Sequence, residues 1–296
     1  ENVLISVYLA ICYAEMGESE DALVEARRVN RKLELMVSEG KRKYKQNAFA
    51  RYLSATLHES EGAWDSAYID YKKTFDLEPD FFELRKDLYR AAYAQRMMDV
   101  AQDWSERLAL AEDEKEQSRR GLARDRGEII VIYENGLSPE KRPHRNFYSI
   151  PEFVARHNPV VEARVEVGGN PVGVTHSLFN IEKIAIQNLE EKYAGIIAKK
   201  VAGVVVKESV AYGIAKATKE PWLYELTRLI FYVSDQADVR SWKLLPRDLQ
   251  ILRTTVEPGT HTVRVTPLGG GEVSIRERTV QVRAGQKVFV SARYLP

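Results

Sequence analysis

Cysteine is almost missing from this chain: Cys12 is the single one among 296 residues. That excludes an internal disulfide and any metal site built from cysteines, and so low a count suits both the cytosol and an oxidising envelope. An excess of one charge is missing too, since 44 Lys and Arg face 43 Asp and Glu. The chain as a whole offers no long-range field to nucleic acid or anionic lipid, and no nucleic-acid partner is expected. Long apolar runs are lacking. Val201–Val206 is closed off by Lys200 and Lys207, far short of the roughly 20 residues that cross a bilayer. The histidines at 58, 144, 157, 176 and 261 are scattered, and no pair has the spacing of a zinc site on one helix or hairpin. There is no G-x-S-x-G, and no glycine-rich loop opens a helix as phosphate binding requires. "GGNPVG" joins two strand patterns, and the carboxylate pair Asp235/Asp238 is of a kind that any acidic turn supplies. An enzyme is therefore not expected, nor a metal or cofactor.

The composition that remains, 44% hydrophobic and 29% charged, is that of a folded chain, long enough for two or three modules. Residues 1–126 read as helical hairpins. Leu9, Ala10, Tyr13, Gly17 and Ala22 form one pattern; Ala55, His58, Gly62, Trp64, Ala67, Tyr71 and Pro79 form a second. Small residues stand where helices approach, and Gly17 and Gly62 stand at the turns. Leu88, Ala92 and Ala101 continue the series, with Arg96 where a turn glycine would be. Ala67 to Ala101 spans 34 residues, the tetratricopeptide (TPR) period. The longer interval from Ala22 to Ala67 implies extended helices around "VSEGKRKYKQN".

At Gly127 the period changes. "IIVIY" is a β-branched run expected to be a strand buried on both faces, and Val161 to Val167 alternates. Between them "LSPEKRPHRNFYSIPEFVARHN" reads as a long loop. Its Arg142, His144, Arg145, Phe147 and Tyr148, with Lys141, make the most site-like surface set, suited to an anionic or aromatic partner, although a solvated loop with both aromatics tucked beneath it is the plainer reading. Asn180 caps a helix whose apolar residues, Ile181 through Val205, recur at i+4. A core helix is expected there in preference to a membrane-surface one. Pro221 opens a second apolar helix. From 247 to 296 the turns "EPGT", "LGGGE" and "RAGQK" separate alternating runs, the grammar of a small antiparallel β module. The joint before it, "SDQADVRSWKLLPRDLQI", is expected to act as a polar clasp. In it Asp235 or Asp238 pairs with Arg240, and Trp242 wedges between layers. The expected class is α+β, with helical hairpins at 1–126, a central α/β region at 127–246 and a β module at 247–296.

Taken in order, the hairpins, "GEIIVIYENGLSP", the long Ala-rich helix, "SDQADVRSWKLLP" and "VEPGTHTV" resemble an uncharacterised family of TPR-containing lipoproteins of the Gram-negative cell envelope. "YENG" and "QADVRSW" are the most specific parts. Such proteins are found near lipoproteins resembling penicillin-binding-protein activators and curli-secretion proteins. The resemblance implies a periplasm-facing, outer-membrane-associated scaffold whose partners are other envelope proteins or copies of itself. Its membrane association would come from a lipid anchor. Cys12 lies within a helical pattern and is not the lipid-bearing residue, which is expected to precede Glu1 in a longer chain. A structural subunit of a flagellar or secretion-associated ring is one alternative. An enzyme or small-ligand protein with its site near residues 141–148 is another.

Overall fold

The computed structural model describes residues 2–40, 47–145, 147–218, 222, 224–228, 236–269 and 276–296. The fold is α+β, and it divides into two compact units. The first comprises Glu1–Leu137, His157–Asn180 and Pro246–Pro296, the second Ser138–Arg156 and Ile181–Leu245.

The first unit opens with helices α1 (Asn2–Met16), α2 (Ser19–Gly40), α3 (Ala48–Ser60), α4 (Trp64–Leu77), α5 (Glu83–Ala94), α6 (Met98–Arg107) and α7 (Glu112–Arg120). Each of α1 to α5 packs on its successor, and Ala10, Ala22, Ala26, Ala55, Ala67, Ala92 and Ala101 are buried where they meet. At 22 residues, α2 outruns the 14 of α4, as the long first interval implies. Asn47 caps α3, its Oδ1 accepting from the Ala50 N–H at 2.9 Å.

One backbone device ends these helices repeatedly. Glu18 N–H donates to Tyr13 O, Ala63 to His58, Met97 to Ala92 and Leu110 to Ser105. Each is a six-to-one bond around a residue of positive φ: Gly17 (80°), Gly62 (76°), Arg96 (62°) and Ala109 (49°). This is the Schellman closure, in which glycine is favoured because it carries no Cβ. The third and fourth turns adopt it without glycine.

Strands β1 (Gly127–Asn135), β4 (Glu162–Val167), β5 (Asn170–Val174), β6 (His176–Asn180), β7 (Asp248–Val256), β8 (Gly259–Leu268), β9 (Arg276–Val282) and β10 (Lys287–Tyr294) complete the unit. They form two sheets, ordered β10-β1-β7-β6 and β5-β4-β8-β9. Side chains from both make one core, including Ile129, Val131, Tyr133, Val165, Leu252, Val263, Val265 and Val290. The other face of the first sheet meets the helices: α1 packs on β10, and α3 on β6 and β7. β1 therefore lies between two layers, with Ile129 to Tyr133 all buried, which explains its unbroken apolar run.

The boundary expected at 246/247 does not hold. β7 pairs with β1 and β6, β10 runs parallel to β1, and β8 pairs with β4. Residues 247–296 are thus not a separate module. The physical reason lies in β7, whose first five residues are all buried; a strand covered on both faces needs a neighbour on each edge, and residues 127–180 supply them.

The second unit holds the hairpin β2 (Glu140–His144) and β3 (Phe147–Val154) and helix α8 (Ile181–Thr218). The long loop expected around residue 145 is therefore a two-stranded ribbon. Pro143 stands opposite Pro151, which concentrates the missing donors at one rung. Helix α8 packs on β3, and Tyr193 OH donates to Pro151 O at 3.0 Å. The expectation of a core helix fails along most of α8. Val205 and Val206 are each 62% exposed, and Ile197, Val210 and Tyr212 also face solvent. The apolar spacing is present, but no layer of the described chain covers it. The expected second helix lies partly outside the described residues, Pro221 included; within it, Tyr224 and Arg228 both bond Glu208 of α8.

Replacing Arg96, an exposed residue in a left-handed turn, by glycine removes a steric penalty of about 1 kcal/mol. Urea unfolding of Arg96→Gly is expected to show a stabilisation of that order, and a loss of stability would contradict the turn geometry.

Candidate functional site

The surface set read from the sequence falls along the β2–β3 hairpin. Arg142 faces Glu152 across the ribbon, its Nε 2.9 Å from Oε1, while His144 Nε2 lies 4.0 Å from Oε2 of the same carboxylate. One acid thus takes up two of the basic groups. Arg145 is exposed at the turn, and the Phe147 backbone pairs with His144. Tyr148 is 73% exposed and is not tucked beneath the loop, while its carbonyl accepts from Ala237 N–H. The five residues share one ribbon edge.

The clasp is corrected more sharply. Asp235 lies outside the described residues. Asp238 and Arg240 do pair, Nε and Nη2 each 2.9 Å from a carboxylate oxygen, and bonds from the guanidinium and the Arg240 N–H hold the acid well below its ordinary range. Yet the Arg240 side chain is 90% exposed, and Trp242 is also exposed. Such a pair is hydrated in any conformation and fastens nothing.

The fastening comes a few residues later in the same stretch. Arg247 Nε reaches Asp248 Oδ2 at 2.8 Å, and its Nη2 donates to Val160 O at 3.1 Å. Gln250 Nε2 bonds Asp248 Oδ1 and Val161 O, and Thr175 Oγ1 donates to Gln250 Oε1. Asn135, the asparagine of "YENG", is fully buried and donates to Val160 O and Asp248 Oδ2. These groups tie the ends of β1 and β7 to the segment leading into β4.

The densest cluster of ionisable groups was not legible in the sequence. Arg253 of β7 lies between the sheet and the helices, its side chain 6% exposed. Its Nη2 donates to Glu59 of α3 and Glu128 of β1, each at 2.7 Å; its Nη1 reaches Asp87 of α5 at 3.1 Å and Tyr71 OH of α4 at 3.0 Å. Lys287 of β10 joins Glu59 at 3.0 Å and also contacts Glu128. Arg90 bonds Glu59 and Asp87. Tyr71 OH and Tyr52 OH donate to Glu59 and Asp87.

Three cations and three carboxylates thus balance in a dry layer. Burial alone would raise the Glu128 carboxyl, but the charges of Arg253 and Lys287 overcome it and bring it to about 2. Burial likewise opposes ionisation of Glu59, and Arg253, Arg90 and Lys287 drive it well below its ordinary value. Burial, with Asp87 beside Tyr52 and Glu59 beside Tyr71, pushes both phenols up, so they remain donors. Acids this strong carry no proton to give at neutral pH and are poor bases. The arrangement suits a joint better than acid/base catalysis.

Compared with known proteins, the chain matches no family model and no curated sequence.

Removing Arg253 leaves buried carboxylates uncompensated, so Arg253→Met is expected to cost about 3–5 kcal/mol in urea unfolding. Arg240→Ala should leave the unfolding midpoint unchanged, and a large loss there would restore the clasp. The pH dependence follows from the depressed acids. Their ionised form is favoured in the folded state, so they contribute full stability above their ordinary value of 4.5, and that contribution drains away as pH falls toward 2. Unfolding midpoints measured from neutral to acid pH should fall below 4.5, with a shallower fall in Glu128→Gln.

Proposed function

We propose that this chain is a non-catalytic scaffold of the Gram-negative cell envelope. In this reading it faces the periplasm at the outer membrane, carries the lipid anchor that the sequence resemblance implies, and joins other envelope proteins. The hairpins are read as TPR units. The carrying observation is α8: 38 residues of helix with Val205, Val206, Val210, Ile197 and Tyr212 turned to solvent. A contiguous exposed apolar face of this kind marks a surface that another body covers. Envelope placement rests on the resemblance alone.

The hairpins contribute differently from the usual expectation of a groove that receives a partner. The first helix of each pair is turned to the chain's own sheet. Tyr8 of α1 bonds Glu134 of β1 at 2.9 Å, Glu15 of α1 accepts from Ser291 N–H of β10, and Glu59 and Asp87 hold Arg253. What the hairpins can offer a partner lies on α2, α4 and α6.

A second reading, a subunit of a ring-like envelope assembly, is favoured by the glycines of α8. At Gly195, Gly203 and Gly213 a Cβ would meet nothing within 4 Å, so a second backbone has room to approach. One experiment separates the readings. A photo-cross-linking residue at position 205 or 206 in intact cells is expected to give a discrete adduct, to a second protein for a scaffold or to another copy for a ring subunit. Adducts to lipid alone, or none, would overturn both.

A further inference from the structure

We propose that the outer groove between α2 and α4 binds an acidic peptide segment. The proposal deepens the scaffold reading by naming the chemistry of one partner. It draws only on the helical hairpins, so its failure leaves the α8 test untouched.

The groove has a volume of about 270 Å³ and is lined by Arg27, Arg31 and Glu34 of α2, Arg51 and His58 of α3, and Ile69 and Lys73 of α4, among others. Its charges are unevenly used. Asp70 is occupied: it accepts from Arg51 Nη1 at 3.3 Å, Ser54 Oγ at 2.7 Å and Asn30 Nδ2 at 3.2 Å. Glu34 is shared by Arg51 and Lys73. Arg27 and Arg31, one helical turn apart, hold no ion pair among the described residues. The groove therefore carries two cations in excess.

Its floor holds a second, independent observation. Arg51 and His58 are buried at 2% and 6% exposure, yet Arg51 Nε and His58 Nδ1 have no hydrogen-bond partner, nor does Asn30 Oδ1. Polar atoms left unpaired in the interior are costly and rare, and three in one groove point to a missing partner. Arg51 Nε can only donate and Asn30 Oδ1 can only accept. A carboxylate-bearing peptide supplies both complements, its acid to the guanidinium groups and a main-chain N–H to the amide oxygen. An inorganic anion supplies only the first. Ile69, 52% exposed at the groove, gives an apolar side chain a place beside the acids.

The test uses fluorescence anisotropy of the full chain with a labelled hexapeptide of alternating glutamate and leucine, and its glutamine-for-glutamate counterpart. The acidic peptide is expected to bind and to weaken as salt is raised, and the glutamine peptide is expected to bind poorly. Arg27→Ala with Arg31→Ala removes two exposed charges without touching the core, and should weaken binding about tenfold. Ile69→Ala should weaken it by a smaller factor, while Val205→Asp with Val206→Asp should leave it unchanged. Equal binding of both peptides, insensitivity to the double arginine substitution, or binding of inorganic phosphate with none of the peptide would each overturn the proposal.

Discussion

The structure of the first unit depends on one guanidinium. Arg253 meets carboxylates from α3, α5 and β1 and a phenol from α4, so the helical layer and the sheet share a single point of contact chemistry. Arginine suits this position because its planar fork presents several donors in fixed directions, where an ammonium would present a point charge. Desolvating such a group is expensive, and only the surrounding acids, with Lys287 and Arg90 closing the charge balance, make the site tolerable. Apolar packing brings helices and sheet together without a preferred register. The ion network supplies a register, since Glu59, Asp87 and Glu128 reach Arg253 together in only one docking.

That docking decides what the rest of the molecule can offer. The face of α1, α3 and α5 that lies on the sheet is consumed; every residue of α3 from Ala48 to Glu59 is buried. Recognition is displaced outward, to α2 and α4 on the first unit and to α8 on the second. The two surfaces differ in kind. The α2–α4 groove is polar and carries surplus cations, whereas α8 is apolar with charges along its length, so they would select different partners.

Much of the local structure was legible in the residues. Gly17 and Gly62 mark their turns because glycine alone carries no penalty there, and Arg96 shows the same turn persisting where packing of the flanking helices overrides that preference. "IIVIY" announces a strand covered on both sides. What local pattern could not convey was pairing between distant strands: nothing in "KVFVSARY" says that it lies beside "GEIIVIYEN" rather than beside its neighbour in sequence. The misplaced clasp has a related cause. Asp238/Arg240 and Arg247/Asp248 look alike in composition, and only burial separates a hydrated pair from a fastening one. A signal for Arg253 did exist. It falls in phase with Leu249 and Ile251 on one face of β7, as Glu128 does with Ile130 and Ile132 on β1. A charge continuing an apolar face asks for a buried partner.

The parallel pairing of β10 with β1 also sets an order of events during synthesis. The acids of the joint, Glu59, Asp87 and Glu128, leave the ribosome first; Arg253 follows much later, and Lys287 is among the last residues made. Until then the nascent helices hold a patch of unmatched negative charge and the first sheet has an open edge beside β1. Contacts so distant in sequence form slowly, and an unpaired strand edge in that interval invites the wrong neighbour. Folding of the hairpins is thereby coupled to completion of the chain, which makes a prematurely terminated product a natural target for proteolysis.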